Sequence, residues 1–118
     1  MRDPVLWFRL RVGPSDWSVL LVDSKDEHLD GDEGCCAFVE SKIYVNRCLP
    51  VDRWRDVLVH ELLHAIFFAH GIDAVLNIDR AVEERIVSVL APALVMTLDG
   101  HEMLRIPKIP GVPKARMH

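Results

Sequence analysis

Apolar positions change their period along the chain, from the alternation of strands to the three-to-four spacing of helices. Val5 to Val12 (VLWFRLRV) is dense in aromatic and branched residues and runs into the turn cluster GPSD, residues 13 to 16, which predicts a strand and a turn. Trp17 to Val22 (WSVLLV) predicts a second strand. Asp23 to Gly34 is acidic and glycine-bearing and predicts a loop, in which His28 is expected to be solvated. Cys35 to Val39 and Lys42 to Asn46 (KIYVN), parted by Glu40 and Ser41, predict a hairpin. With its second strand at the sheet edge, the open backbone groups of Ile43, Tyr44 and Val45 would pair with an extended peptide.

The helical period then takes over. Pro50 suits a first turn, and Asp52 and Asp56 lie near the positive end of the dipole, so a helix is expected from about residue 50 to Gly71, which can cap it. Ile72 to Ile78 predicts a connection. Asp79 can cap a second helix running to about Leu98, with Val82, Ile86, Val89, Leu90 and Ala93 as its core-facing stripe. Pro92 lacks a backbone donor and should kink that helix or mark a looser turn. Residues 101 to 118 carry four Lys or Arg against one Glu, with Pro107, Pro110 and Pro113 at every third position, which predicts an extended or disordered tail. The fold class expected is α+β, a small and mostly antiparallel sheet of about four strands against two main helices, forming one domain over residues 1 to 100.

Within the first helix, VLVHELLHAIFFAHG places His60, Glu61 and His64 in the spacing H-E-x-x-H. Residues four apart share a helix face, so both imidazoles can point at one metal ion. Glu61 sits beside that face, where a carboxylate reaches a metal-bound water but is poorly placed to join the chelate. Apolar neighbours Val59, Leu62, Leu63, Ile66 and Phe67 imply burial on most sides, and buried imidazoles need partners. This is the chemistry of a zinc hydrolase.

Catalytic zinc takes three protein ligands and leaves one position open, so a third is required. His70 gives H-E-x-x-H-x-x-x-x-x-H, an echo of the metzincin pattern H-E-x-x-H-x-x-G-x-x-H, but Phe67 occupies the place of the glycine that would free the chain from the helix. Glu83 and Glu84 lie on the second helix, which must pack on the first. Glu84 is preferred because Val87 and Ala91 are expected on its own face and permit close approach, whereas Glu83 is expected to share its face with the bulkier Ile86, Val87 and Leu90. Ser88, one turn from Glu84, is expected to hold a histidine ligand in place. Asp56, one turn before His60, can accept its ring proton or simply complement the helix dipole.

The order KIYVN, a Pro-bearing link, HELLHA, a glycine and EERIVSVLA resembles the compact zinc metallopeptidases of the ImmA/IrrE type, minimal zincins frequent among phage and prophage proteins. The likeness covers roughly residues 35 to 94. It implies a zincin-like fold with His60 and His64 as the first two zinc ligands, Glu61 as the base and Glu84 as the third ligand. Leu90 and Ala91 fall at the family's F-A positions, while Val87 departs from the usual alanine and leaves Glu83 open as the ligand.

Composition narrows the partners. With 118 residues, half of them hydrophobic, the chain holds one core, and a formal charge of -4 argues against nucleic acid as the main partner. No spanning helix or signal peptide is readable, which points to a cytoplasmic protein without a membrane partner. Cys35, Cys36 and Cys48 fit reduced thiols, with a second zinc site as the alternative. The expected function is a zinc-dependent metallopeptidase acting on a peptide or protein, in which Glu61 takes a proton from a zinc-bound water and passes one to the leaving amine. Tyr44, Arg80, Arg85 and His70 are candidates for stabilising the oxyanion. The alternative is a zinc-binding accessory protein of phage or mobile-element origin without proteolytic activity.

Overall fold

A computed structural model describes residues 2–99. Its elements are β1 (Val5–Val12), β2 (Ser15–Val22), β3 (Gly34–Ala37), β4 (Lys42–Asn46), α1 (Val51–His70), α2 (Ile72–Leu76) and α3 (Arg80–Asp99). The class is α+β, with a four-stranded sheet in the order β1-β2-β4-β3 and three helices. The expected tail over residues 101–118 lies outside the described residues.

The sheet is mixed. β1 and β2 form an antiparallel hairpin across Gly13 and Pro14, where Gly13 supplies a φ of 58° that a side chain would disfavour. Ser15 and Asp16 therefore belong to the strand, so the turn is shorter than the GPSD cluster suggested. β3 and β4 form the second antiparallel pair, but β4 also runs parallel to β2, with Ser18 opposite Lys42 and Val22 opposite Asn46. The expected edge strand, carrying Ile43, Tyr44 and Val45, is thus an interior one and all three residues are buried. With strands on both sides its backbone groups are already paired. The open edge beside α1 belongs to β3.

Strand alternation sorts the core into layers. Trp17, Val19 and Leu21 of β2 and Ile43 and Val45 of β4 face α1, where Trp54, Val57, Leu58 and Ala65 meet them. A register shift between Leu6 and Phe8 marks an irregularity at Trp7, which packs edge-on against Trp54 at 5.9 Å. The other sheet face places Val22 and Tyr44 under Leu29, so the loop between β2 and β3 closes that side.

A second cluster joins Val59, Leu63 and Phe67 of α1 to Val87 and Ala91 of α3. α1 therefore buries two apolar faces and leaves a polar strip between them. It begins after Pro50 and ends at Gly71, whose left-handed backbone (φ 61°) lets its N–H reach the carbonyls of Phe67 and Phe68. Asp79 caps α3 by accepting the Val82 N–H at 2.9 Å. The stripe facing α1 is Glu83, Val87 and Ala91, and the expected stripe through Val89 and Leu90 is exposed, Val89 at 73%. Small residues win here because they let two helices approach closely, which hydrophobicity alone does not encode. α3 runs unbroken through Pro92, held on both sides by Ala91 and by Leu94 and Val95. Among the described residues no helix is long and apolar enough to cross a membrane.

Two outcomes follow from this packing. A Cβ at Gly34 would stand 2.5 Å from Val57 Cγ1 and 3.3 Å from the Tyr44 carbonyl oxygen, so Gly34→Ala should destabilise the fold by about 1–3 kcal/mol, read as a lower urea midpoint at unchanged m-value. At the start of the chain, the Arg2 backbone N–H donates to Asp23 Oδ2 at 2.7 Å and, with the Arg2 and Arg47 guanidiniums, holds the Asp23 carboxyl below its ordinary value. The unfolded chain then binds that proton more readily, so this stabilisation is present above the ordinary carboxylate pKa and is lost as pH falls. Asp23→Asn should flatten the acid side of a plot of thermal midpoint against pH.

Candidate metal centre

The polar strip of α1 carries His60, Glu61 and His64, and α3 brings Glu84 across from it. Glu84 Oε1 lies 3.0 Å from His60 Nε2, and Glu84 Oε2 lies 2.7 Å from His64 Nε2. The three donor atoms fall within 4.8 Å of one another. Two imidazole nitrogens and a carboxylate are the ligand types zinc takes, and ligand atoms sharing a tetrahedral zinc stand roughly 3.4 Å apart, so a small opening of this cluster could hold a metal ion. Burial raises the Glu84 carboxyl, but the His60 and His64 imidazoles and the Ser88 hydroxyl outweigh it and hold the group below its ordinary range.

Glu83 takes a different place from its neighbour. It is the one charged residue buried among the described residues, at 8% exposure, and its Oε2 meets His64 Nδ1. Successive helix positions point about 100° apart, so Glu84 faces the open side of the histidines while Glu83 reaches the ring from behind. A carboxylate accepting the Nδ1 proton fixes the tautomer whose Nε2 lone pair faces the cluster. The sequence holds a signal for this: Glu83, Val87 and Ala91 recur every four residues, a line of close approach that begins with an acid. Ser88 also differs from expectation, because its Oγ donates to Glu84 Oε1 at 3.2 Å and so steadies the glutamate rather than a histidine.

Glu61 sits deeper. Burial pushes its carboxyl up to about 7, the His64 charge opposes that rise, and the carboxylates of Glu84 and Asp32 add to it. The absent side chain at Gly34 makes this position available, since a Cβ there would stand 3.1 Å from Glu61 Cγ. Glu61, His60, His64 and Glu84 line one open cleft of about 730 Å³, whose other wall includes Gly34 and Cys36 of the β3 edge. Arg80 lies in the same cleft with its guanidinium 5.7 Å from the centre of the Phe38 ring.

Other expected residues fall elsewhere. His70 is exposed on the last turn of α1, outside the cluster, because the helix continues straight through Phe67. Asp56 faces Arg53 Nη1 at 3.6 Å rather than the His60 ring. Tyr44 points to the sheet face away from α1, stacked on His28 at 4.1 Å, and cannot reach an oxyanion in the cleft. His28 is accordingly half-buried and paired with Asp26 at 2.7 Å, not simply solvated. Arg85 is exposed on α3 and does not line the cleft. Cys35 and Cys36 are adjacent in β3 and project to opposite faces, and Cys48 is exposed, so the three thiols do not gather.

Compared with known families, with curated proteins and with solved structures, the chain matches none.

The two neighbouring glutamates should separate in a metal-affinity measurement by chelator competition. Glu83→Gln, which alters the support of one imidazole, is expected to weaken zinc binding by about 10- to 100-fold. Glu84→Ala should weaken it further, and His70→Ala should leave it unchanged. Wild-type affinity in Glu84→Ala would remove that residue from the cluster's function.

Proposed function

We propose that the protein is a zinc-dependent peptidase, built on the pattern of the minimal zincins its sequence resembles. The observation that carries this reading is the convergence of His60, His64 and Glu84 on one side of a cleft, with the raised carboxyl of Glu61 beside them. His60 and His64 would hold the ion from α1 and Glu84 from α3. A zinc ion there supplies Lewis acidity, which acidifies water and polarises a carbonyl.

The chain's own groups do the remaining work. A carboxyl group poised near neutral pH can both take and return a proton, so Glu61 removes one from the attacking water and delivers one to the amine nitrogen as the peptide bond breaks. Glu83 keeps the His64 ring in place throughout, and Ser88 steadies Glu84. Substrate backbone can add to the open edge of β3, which borders the cleft.

Incubation with a diverse peptide library, with and without a chelator, tests the activity directly. Glu61→Gln should retain zinc and lower kcat by about 10²- to 10⁴-fold. Full zinc occupancy in the wild type with no cleavage of any peptide would instead assign the centre to an accessory protein that binds without hydrolysing.

A further inference from the structure

The cleft beside the metal cluster has a direction. β3 starts at Gly34, against Val57 and Glu61, and just past its end Phe38 packs on Phe68 with ring centres 4.8 Å apart. The strand edge therefore runs along α1 from about one turn before the two histidines to one turn beyond them. α3 runs the opposite way: Glu84 faces His60 and His64, and Arg80, one turn earlier on the same face, reaches the Phe38 ring. The cluster thus lies in the middle of the cleft, with Arg80 and Phe38 at one end and Asp30, Asp32 and Glu33 of the loop, with Asp56 of α1, at the other.

The two ends differ in charge. At the loop end the Arg53 guanidinium is taken up by Glu33 at 2.8 Å and Asp56 at 3.6 Å, and no cation binds Asp30 or Asp32 among the described residues, so that end is net negative. Arg80 is the reverse case. Its guanidinium lies 5.7 Å from the centre of the Phe38 ring and meets no carboxylate among the described residues. The acids one turn along α3, Glu83 and Glu84, are engaged by His64 and His60 instead. An arginine stays charged and presents its N–H donors as a planar fork that matches a carboxylate, and an aromatic ring against one face steadies the fork without occupying those donors.

We propose that Arg80 is a specificity-determining residue that binds a carboxylate of an extended peptide lying on the β3 edge, so that the substrates are peptides with an acidic group on the Phe38 side of the metal. The inference rests on the peptidase reading of the site and names its substrate class. One helical turn, about 6 Å along α3, separates Arg80 from Glu84, and an extended chain advances about 3.3 Å per residue, which puts the recognised carboxylate about two residues from the bond that is cut. An acidic residue at the opposite end would meet Asp30 and Asp32, which makes the preference one-sided. An aspartate or glutamate side chain or the end of the chain can supply the group.

Labelled alanine-based peptides test this, each carrying one glutamate moved through every position, with glutamine as its control and with free or amidated C-termini. Fluorescence anisotropy on the zinc-loaded protein gives their affinities, and cleavage rates give kcat and KM. Wild type should bind the glutamate peptide about tenfold more tightly than its glutamine control at one position, or show the same ratio between free and amidated ends. The first result identifies a side chain as the group bound and the second a chain end. R80M should bring the ratio to about one, R80K should keep part of it, and R80E should turn the preference toward lysine, with chelator competition showing that each variant still holds zinc. A wild type that binds all the peptides alike, or an unchanged ratio in R80M, would overturn the proposal. So would a kcat lowered equally for glutamate and glutamine peptides in R80M, which would place Arg80 at the reacting carbonyl. Should the zinc-loaded wild type cleave none of the peptides, the peptidase reading fails, while the anisotropy ratio still decides what Arg80 binds.

Discussion

Polar groups on a helix packed from two sides must each find a partner, and α1 is that helix. Its sheet-facing residues Trp54, Val57, Leu58 and Ala65 and its α3-facing residues Val59, Leu63 and Phe67 leave only a narrow strip for two imidazoles and a carboxyl group. An unsatisfied buried donor or acceptor costs about 1–3 kcal/mol, so the strip dictates what its neighbours carry. α3 answers with adjacent glutamates, one on each side of His64. Among the described residues Glu61 has no such partner, and its burial raises the carboxyl so that it holds its proton more tightly. The same burial that makes the strip demanding for folding is what raises the Glu61 carboxyl.

Much of this was legible in the chain. Strands β1, β2 and β4 and helices α1 and α3 follow from period, turn residues and caps, because those signals act over a few residues. Partnership is another matter. Nothing in KIYVN distinguishes an edge from an interior strand, since a buried run looks alike whether its neighbour is parallel or antiparallel. The loop of residues 23 to 33, which carries the chain across so that β4 returns beside β2, has no pattern of its own. The face of α3 was ambiguous for a related reason: Val82, Ile86, Val87, Val89 and Leu90 make it apolar nearly all round, and the choice of Val87 with Ala91 is made by how closely α1 can approach. Tertiary geometry also decided that Glu83 and Glu84 have separate positions, where the sequence presented them as rivals for one.

Gly34 links the two halves of the site. It lies in β3 opposite Val45, close to both Val57 and Glu61 of α1, and the space left by its missing side chain lets helix and strand edge come together. Without that approach the open strand edge and the titrating carboxyl group would border different surfaces. A short strand with a glycine at its start is weak as a piece of sheet, yet it suits a place where another backbone is meant to come near.

The parallel pairing of β2 with β4 sets the order in which the molecule can assemble. The β1–β2 hairpin joins neighbours in sequence, but Ser18 must find Lys42, and His60 must find Glu84, across 24 residues each. Closing such loops is slow compared with local turns, and the chain emerges from the ribosome from its N-terminus. A nascent chain that has just released α1 therefore exposes the apolar seam later covered by Val87 and Ala91, with its histidines facing water. Until α3 arrives, the growing polypeptide is at its most adhesive, and His60 and His64 stand without the carboxylate that faces them in the finished fold.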